Sequence, residues 1–372
     1  MNRAALLNSQ KGGSILFSLA QTSSVPAVAR DVSREAGSFQ MLKGRKTWLA
    51  AGVLSVIVAA FLITRGPEAP TPNPPGTFSF AVMGDAPYYE WEALQYRLVL
   101  KSLDANDLSW VIDVGDIFWR PCTDEMYRRT LDGFNALRHP VIYIPGDNEW
   151  TDCWEPDSGA FLPQDRLNRI RQIFFDHPTR SLGGTALPLV SQAGRELFPE
   201  FVENARWVHE GIVFATVHIV GSRNGMKTFP ARTEADDAAS KRRTEAAAAW
   251  VRETFAEARN SNASAVVISF HGNAELEEPD NPYRLAFEPF ITAVEEEAER
   301  FARPVLLAHG DGHVYTVDHP LVRRTTGRGL ENLTRMQVPG SPRVGWVRVV
   351  VKPGADDPFA FEEHVVPRWK YW

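Results

Sequence analysis

The chain has little cysteine and no surplus of positive charge. Only two cysteines occur in 372 residues, so at most one intramolecular disulfide can form. The 40 lysines and arginines are outnumbered by 46 aspartates and glutamates, which gives a formal net charge of −6 at pH 7. Nucleic-acid-binding domains usually carry a basic surplus. We therefore expect no nucleic-acid partner.

Long apolar runs are scarce as well, and the main one lies near the N-terminus. Residues 47–64 contain no charged side chain and follow the basic cluster of residues 43–46. Eighteen residues are at the short end of what spans a bilayer. A basic flank also describes a secretory signal, but no clean cleavage site follows, so we favour an uncleaved anchor.

Either reading predicts an exported protein, because the positive flank stays in the cytoplasm. We expect a single-pass protein of the cell membrane with its catalytic domain on the periplasmic or extracellular side, or a secreted protein if the segment is cleaved. Residues 1–46 would be a cytoplasmic segment, of which residues 1–40 would be untranslated if synthesis starts at Met41. Residues 65–76 contain five prolines and predict an extended linker before a domain at 77–372.

Three apolar runs end in a Gly-Asp pair, at Asp85, Asp116 and Asp147, and these aspartates are 31 residues apart each time. A strand, a crossover helix and the next parallel strand take roughly 30 residues or more. The pattern predicts an α/β protein in which the three carboxylates meet at the carboxyl edge of a parallel sheet, where such sheets bind ligands. One Gly-Asp pair is an ordinary turn, but three at this period favour a metal site, because crowded carboxylates repel one another.

Histidines follow predicted strands in the second half of the chain. His271 follows the strand at 265–270, and His309-Gly-Asp311-Gly-His313 follows the strand at 304–308. A lone histidine at a strand end is more often structural. Together with the three aspartates, however, these side chains favour Zn²⁺, Fe or Mn²⁺ over Ca²⁺. A carboxylate-only hydrolase would leave the histidines unexplained.

Cys122 and Cys153 each lie six residues beyond a motif aspartate. If the two strands are neighbours, their loops are neighbours too, and an exported chain meets an oxidising compartment. We therefore predict a Cys122–Cys153 disulfide, with a free buried pair as the alternative. The stretch after Trp150, to about residue 207, reads as an irregular insert that either forms a lid or only covers the sheet.

Taken in order, these residues resemble the calcineurin-like metallophosphoesterases over about residues 78–317. The motifs of that family read Asp-x-His, Gly-Asp-x-x-Asp, Gly-Asn-His-Asp/Glu, a lone His, and Gly-His-x-His. Residues 147–150 are most similar to a divergent branch whose third motif is Asp-Asn-Glu-Trp. The resemblance implies a four-layer αββα sandwich of the metallo-dependent phosphatase type, with two divalent metal ions.

At the first metal position, the resemblance implies Asp85 and His313 as ligands, with Asp116 bridging both metals. Two departures stand out. Pro87 replaces the histidine of the first motif, so an imidazole ligand is missing, and Trp119 replaces the last aspartate of the second motif.

At the second metal position, the implied ligands are Asp147, His271 and Asp311. Asp147 stands where the family has asparagine, and Asp311 stands where it has histidine. Asn148 replaces the catalytic histidine of the third motif, and an amide does not transfer protons at neutral pH.

We expect Asn148 to remain at the catalytic position, with His218 or His309 as a substitute proton donor. Arg120, and Arg223 with Asn224 in the loop at 221–225, are candidate phosphate contacts. The alternative is that both arginines are solvated surface residues.

Two functions remain open. The first is a membrane-anchored, exported metal-dependent phosphoesterase in which a metal-bound hydroxide attacks a phosphate ester of a small molecule. The second is a non-hydrolytic metal-binding module on the same fold that recognises an anionic ligand.

Overall fold

The structure, a computed structural model, describes residues 72–323 and 326–367. The predicted N-terminal segment at 1–46, the membrane segment at 47–64 and most of the linker at 65–76 lie outside these residues. Within the described ranges, no helix combines the length and the apolar character needed to cross a bilayer.

The first sheet has six strands in the spatial order β13-β12-β1-β2-β3-β4. Its parallel centre is formed by β1 (Phe78–Met83), β2 (Val111–Asp113) and β3 (Pro140–Tyr143). Three strands run antiparallel to their neighbours: β4 (Leu182–Gly183), β12 (Gly345–Val351) and β13 (Phe359–Val365). The β-α-β-α-β order predicted from the sequence is therefore present.

The second sheet has seven strands in the order β10-β11-β9-β8-β7-β6-β5. Its parallel strands are β7 (Ile212–Thr216), β8 (Ala265–Ser269), β9 (Val305–His309) and β11 (Leu333–Gln337). The antiparallel strands are β5 (Val190–Ser191), β6 (Ala205–His209) and β10 (Thr316–Asp318). The sequence did not predict β11, and the insert after Trp150 is more ordered than expected, because it contributes β4, β5 and β6.

Side chains from both sheets share one apolar core. In β1, Phe80 and Val82 point into this core, whereas Ala81 and Met83 point to the opposite face. The period of two is that of a strand with both faces buried. Phe214 of β7 packs edge-to-face against Phe80, with ring centroids 5.6 Å apart, so the two sheets lie face to face.

Helices cover the outer face of each sheet. The first sheet is covered by α1 (Glu92–Asp104), α2 (Asp124–Ala136) and α3 (Pro163–Phe174), and the second by α4 (Glu234–Asn260) and α5 (Glu288–Phe301). The alanine-rich α4 begins with a capping box between Thr233 and Asp236. The predicted four-layer αββα sandwich is confirmed, and the carboxyl ends of its parallel strands lead into the candidate site.

Candidate metal centre

The six predicted ligands come together from both sheets. Asp85, Asp116 and Asp147 lie in the loops that follow β1, β2 and β3, and the other three, His271, Asp311 and His313, follow β8 and β9. Ligand atoms of Asp85, Asp116 and His271 lie within 4.8 Å of one another, as do those of Asp147, His271 and Asp311. His271 belongs to both groups, and Nε2 of His313 lies 3.8 Å from Oδ1 of Asp85.

The two histidines are oriented in the same way. Nδ1 of His271 donates to the carbonyl oxygen of Val114 at 2.7 Å, and Nδ1 of His313 donates to that of Ser341 at 2.7 Å. Each ring therefore turns Nε2 toward the carboxylates. Metal-ligating histidines usually donate their other ring N–H in this manner.

Four of the six residues have a backbone conformation that is unusual for residues other than glycine. The φ angles are 55° at Asp85, 56° at Asp116, 69° at Asp311 and 61° at His313. Such conformations cost free energy and concentrate at functional sites. The surrounding hydrogen bonds hold them, for example the backbone N–H of Asp311, which donates to Asp85 at 3.0 and 3.1 Å.

Glycines pack directly against the carboxylates. A Cβ atom added to Gly146 would lie 2.3 Å from Oδ1 of Asp116, and one added to Gly310 would lie 2.6 Å from Oδ2 of Asp85. At Gly221 it would lie 2.4 Å from Oδ1 of Asp147 and 2.7 Å from Oδ1 of Asp311. A side chain at any of these three glycines would therefore collide with a carboxylate of the site.

The electrostatics of the cluster fit a cation. Burial raises the pKa of Asp116 to about 6 and that of Asp311 to about 7, with neighbouring carboxylates adding to the effect. Burial and nearby charge also hold the pKa of Asp85 well above its ordinary value. Burial alone would lower the pKa of His271, but the carboxylates of Asp116 and Asp147 raise it well above its ordinary value. Burial opposes ionisation of Asp147 as well, but hydrogen bonding and the charge of His271 lower its pKa. Full ionisation of the other three carboxylates is disfavoured by burial and mutual repulsion, and a divalent ion would relieve both effects.

The chain is similar in fold to PhoD. With that solved structure it shares 13% identity over 79% of this chain and 70% of the other, at a TM-score of 0.48. A candidate 5'-nucleotidase of Staphylococcus aureus, solved with alpha-ketoglutarate, shares 12% identity over 78% of this chain and 54% of that one, at a TM-score of 0.41. No protein-family model and no curated protein matches the sequence. TM-scores below 0.5 are too low to transfer the chemistry of either protein.

The predicted disulfide is formed. Cys122 and Cys153 are both fully buried, their Cα atoms are 5.8 Å apart, and they join the loops that follow β2 and β3. Asn148 lies beside this bridge and reaches the ligands. Its Nδ2 donates to Oδ2 of Asp116 at 2.7 Å, and its backbone N–H donates to Oδ1 at 3.0 Å.

The two histidines considered as substitute proton donors are fully buried. Nδ1 of His218 donates to Glu203 at 2.6 Å, and His309 donates from Nδ1 to the carbonyl oxygen of Gly310 at 2.9 Å. Burial lowers the pKa of His218 to about 4 and that of His309 to about 3. Both rings are therefore neutral at pH 7, which disfavours them as acids, and neither has a hydrogen bond to a predicted ligand.

The side chains of the three predicted phosphate contacts interact with residues other than the predicted ligands. Arg120 is exposed and forms an ion pair with Asp157 at 3.1 Å, and the exposed Arg223 lies over the ring of Tyr283. Asn224 is buried and donates both amide protons, to Thr244 at 2.9 Å and to the carbonyl oxygen of Ala286 at 3.0 Å. Asn224 therefore has no amide proton left for a phosphate, and the structure places it in the scaffold.

Two residues of the site were not predicted. Glu149 is fully buried and accepts three hydrogen bonds that connect the loops after β2 and β3. Tyr88 donates its hydroxyl proton to Oδ2 of Asp116. The motif Asp-Asn-Glu-Trp could have drawn attention to Glu149, whereas Tyr88 occupies no position that the resemblance assigns.

The left-handed turn at residues 222–224 contacts the predicted ligand Asp147. Ser222, at φ 50°, donates to Oδ2 of Asp147 or to the carboxylate of Asp152, each at 2.9 Å. Lys227 forms an ion pair with Asp152 at 3.0 Å. Asp147 is therefore held from two directions, by His271 and by this turn.

Proposed function

We propose that the protein is a metal-dependent phosphoric ester hydrolase. The observation that carries this proposal is the convergence of four aspartates and two histidines at the joined carboxyl edges of two sheets. Histidines whose Nδ1 atoms are already committed to backbone carbonyls, together with buried carboxylates, form a donor set suited to Mn, Fe or Zn.

The residues would hold two divalent ions. Asp85 and His313 would bind at the first position, and Asp116 would bridge to the second. The second position would be completed by Asp147, His271 and Asp311. When bound, such a pair of ions binds phosphoryl oxygens and lowers the pKa of water.

Asn148 would orient one of the ligands of these ions. Asn148 donates a hydrogen bond at the bridging carboxylate and keeps Asp116 in one orientation. The second amide proton of Asn148 would be available to a phosphoryl oxygen, although an amide cannot protonate a leaving group. Leaving groups that need little protonation, such as aryl alcohols, should therefore react fastest.

The substrate that fits is a phosphorylated small molecule or another phosphate ester. Arg223 remains a candidate for contact with it, because its guanidinium is exposed on the same turn that supports Asp147. Arg120 is a second candidate, reached by breaking a largely exposed ion pair that contributes little stability.

A non-hydrolytic module is the second candidate, and Asn148 is the observation that favours it. With an amide at the catalytic position and with His218 and His309 buried and neutral, none of the three residues predicted to assist the leaving group is an acid at pH 7. Binding of an anionic ligand would need only the cations.

The test is hydrolysis of p-nitrophenyl phosphate by the full-length protein loaded with Mn²⁺, Fe²⁺ or Zn²⁺. We expect metal-dependent turnover that Asp116→Ala abolishes and that the control Asp132→Ala, at an exposed aspartate of α2, leaves intact. Circular dichroism of both variants would verify the fold. Metal binding without turnover of mono- or diesters would favour the non-hydrolytic module.

We also propose that the domain works outside the cytoplasm, held to the membrane by residues 47–64. The Cys122–Cys153 disulfide supports this location, because disulfides persist mainly in oxidising compartments. Fractionation of cells, followed by protease accessibility of the domain, would test it. Recovery of the domain in the cytosol with free thiols would contradict it.

A further inference from the structure

The first metal position has one ligand fewer than the resemblance implies. Asp85 is followed by Ala86 and Pro87, and proline has no side-chain donor atom. The position would then be left with Asp85, the bridging Asp116 and His313. The residue after Pro87 is Tyr88, whose hydroxyl is an oxygen donor.

Tyr88 reaches this position from the loop after β1. Its hydroxyl forms a hydrogen bond to Oδ2 of Asp116 and lies 3.2 Å from Nε2 of His313. Its ring packs edge-to-face on His313, with centroids 5.1 Å apart, and against Trp119 at 5.3 Å. These ring contacts hold the hydroxyl between two predicted ligands.

Three possible donor atoms converge at this point. Nδ1 of His313 donates to the carbonyl oxygen of Ser341, which leaves Nε2 as the ring atom that faces the Tyr88 hydroxyl. Oδ2 of Asp116 accepts the proton of the same hydroxyl. A phenol oxygen, a carboxylate oxygen and an imidazole nitrogen this close together are atoms that a shared cation could bind.

We infer that Tyr88 is a protein ligand at the first metal position, where it takes the place of the imidazole missing at Pro87. This inference rests on the proposed metal site. Binding forms a bond between the Tyr88 oxygen and the cation and breaks the O–H bond, and the proton passes to water. A hard oxygen donor in place of an imidazole nitrogen favours a harder, more highly charged cation at this position, such as Fe³⁺.

The probe is Fe³⁺ added to the full-length protein, with Mn²⁺ in parallel. The variants are Tyr88→Phe, which removes only the oxygen, and the matched control Tyr89→Phe. Tyr89 is the next residue, 53% exposed, and stacks on Trp91 rather than on a predicted ligand. Circular dichroism would verify that both variants keep the fold.

The readouts are metal stoichiometry by inductively coupled plasma mass spectrometry, metal affinity by titration, and the visible spectrum. Wild type and Tyr89→Phe should bind two equivalents and show the phenolate-to-Fe³⁺ charge-transfer band. Tyr88→Phe should lose the band and bind the first equivalent at least about tenfold more weakly, since even residues behind the ligands change affinity by roughly 10–100-fold.

Three results would overturn the inference. Two equivalents with unchanged affinity and no band in wild type would show that the phenol is not a ligand. One equivalent in wild type but two in Tyr88→Phe would show that the phenol occupies the first position itself. Absence of any metal from wild type would instead refute the proposed metal centre, and the ligand role of Tyr88 with it.

Discussion

Both carboxylate oxygens of Glu149 accept the backbone N–H of Asp116, at distances of 3.2 and 3.1 Å. One of these oxygens also accepts the backbone N–H of Gly146 and the hydroxyl of Tyr143, each at 2.7 Å. A single buried carboxylate therefore connects the loop of one predicted ligand to the loop of the next. It restrains Asp116 in its left-handed conformation.

Glu149→Ala should both destabilise the protein and loosen Asp116. Three buried donors would lose their acceptor, which costs about 3 kcal/mol or more in total. We expect a lower midpoint of urea unfolding and weaker metal binding. Glu155→Ala is a control, because Glu155 is partly exposed and forms only a 3.4 Å ion pair with Lys227. Equal midpoints for Glu149→Ala and wild type would contradict this role.

Gly221→Ala should disturb the second metal position. The new methyl group would overlap the carboxylates of Asp147 and Asp311, which would have to move. We expect metal affinity at this position to fall by roughly 10–100-fold, as measured by titration of the purified protein. Gly194→Ala is the matched control, because nothing lies within 4 Å of the added atom. Similar affinities in the two variants would count against the proposed ligand set.

Replacing both Cys122 and Cys153 with alanine should lower the free energy of unfolding by roughly 3–4 kcal/mol. The two cysteines are 31 residues apart, and a cross-link over that distance restricts the unfolded chain by about this amount. Urea unfolding of the double variant would measure the change. Wild type unfolded under reducing conditions should behave like the variant, and a difference near zero would mean that the bridge does not restrict the unfolded state.

The stability of the protein should decrease as the pH falls from about 6.5 toward 4, partly because of His218. Burial lowers the pKa of folded His218 to about 4, against about 6.5 in the unfolded chain. In this window the unfolded state binds the extra proton, so acid favours unfolding, by up to about 3 kcal/mol.

His218→Asn isolates this contribution. The asparagine amide can still donate to Glu203 but does not titrate. The decrease in stability between pH 6.5 and 4.5 should therefore be shallower in the variant. Below that window, Glu203 adds to the loss of stability in acid. Burial alone would raise the pKa of Glu203, but Arg171 and His218 hold it far below its ordinary value. Parallel pH profiles for wild type and variant would contradict the shifted pKa of His218.

The sequence predicted the parts of the fold that depend on local pattern. The equal spacing of Asp85, Asp116 and Asp147 located three parallel strands and their loops. The helix predicted from Glu234 to Arg259 is observed as Glu234–Asn260, because an alanine-rich face and a capping box are local signals. The disulfide followed from the same spacing, since neighbouring strands place their loops side by side.

What the sequence did not predict depends on distant contacts. The pair of Glu203 and His218 joins residues that no motif connects, and the two-residue strands β4 and β5 are too short for a periodic signal. Tyr88 was missed because the resemblance assigns histidine two residues after Asp85 and gives no role to the residue after that. Only the folded chain shows its hydroxyl between Asp116 and His313.

His271 has a consequence beyond ligand binding, because it follows a strand of the second sheet but bonds to the first. Its Nδ1 reaches Val114 and its Nε2 reaches Asp147, both in loops of the first sheet. A cation bound by this residue would link the two halves of the sandwich, since it can bind only while the halves are in contact. The free energy of cation binding would then oppose separation of the two halves. The melting temperature of the metal-loaded protein should therefore rise with the concentration of free cation.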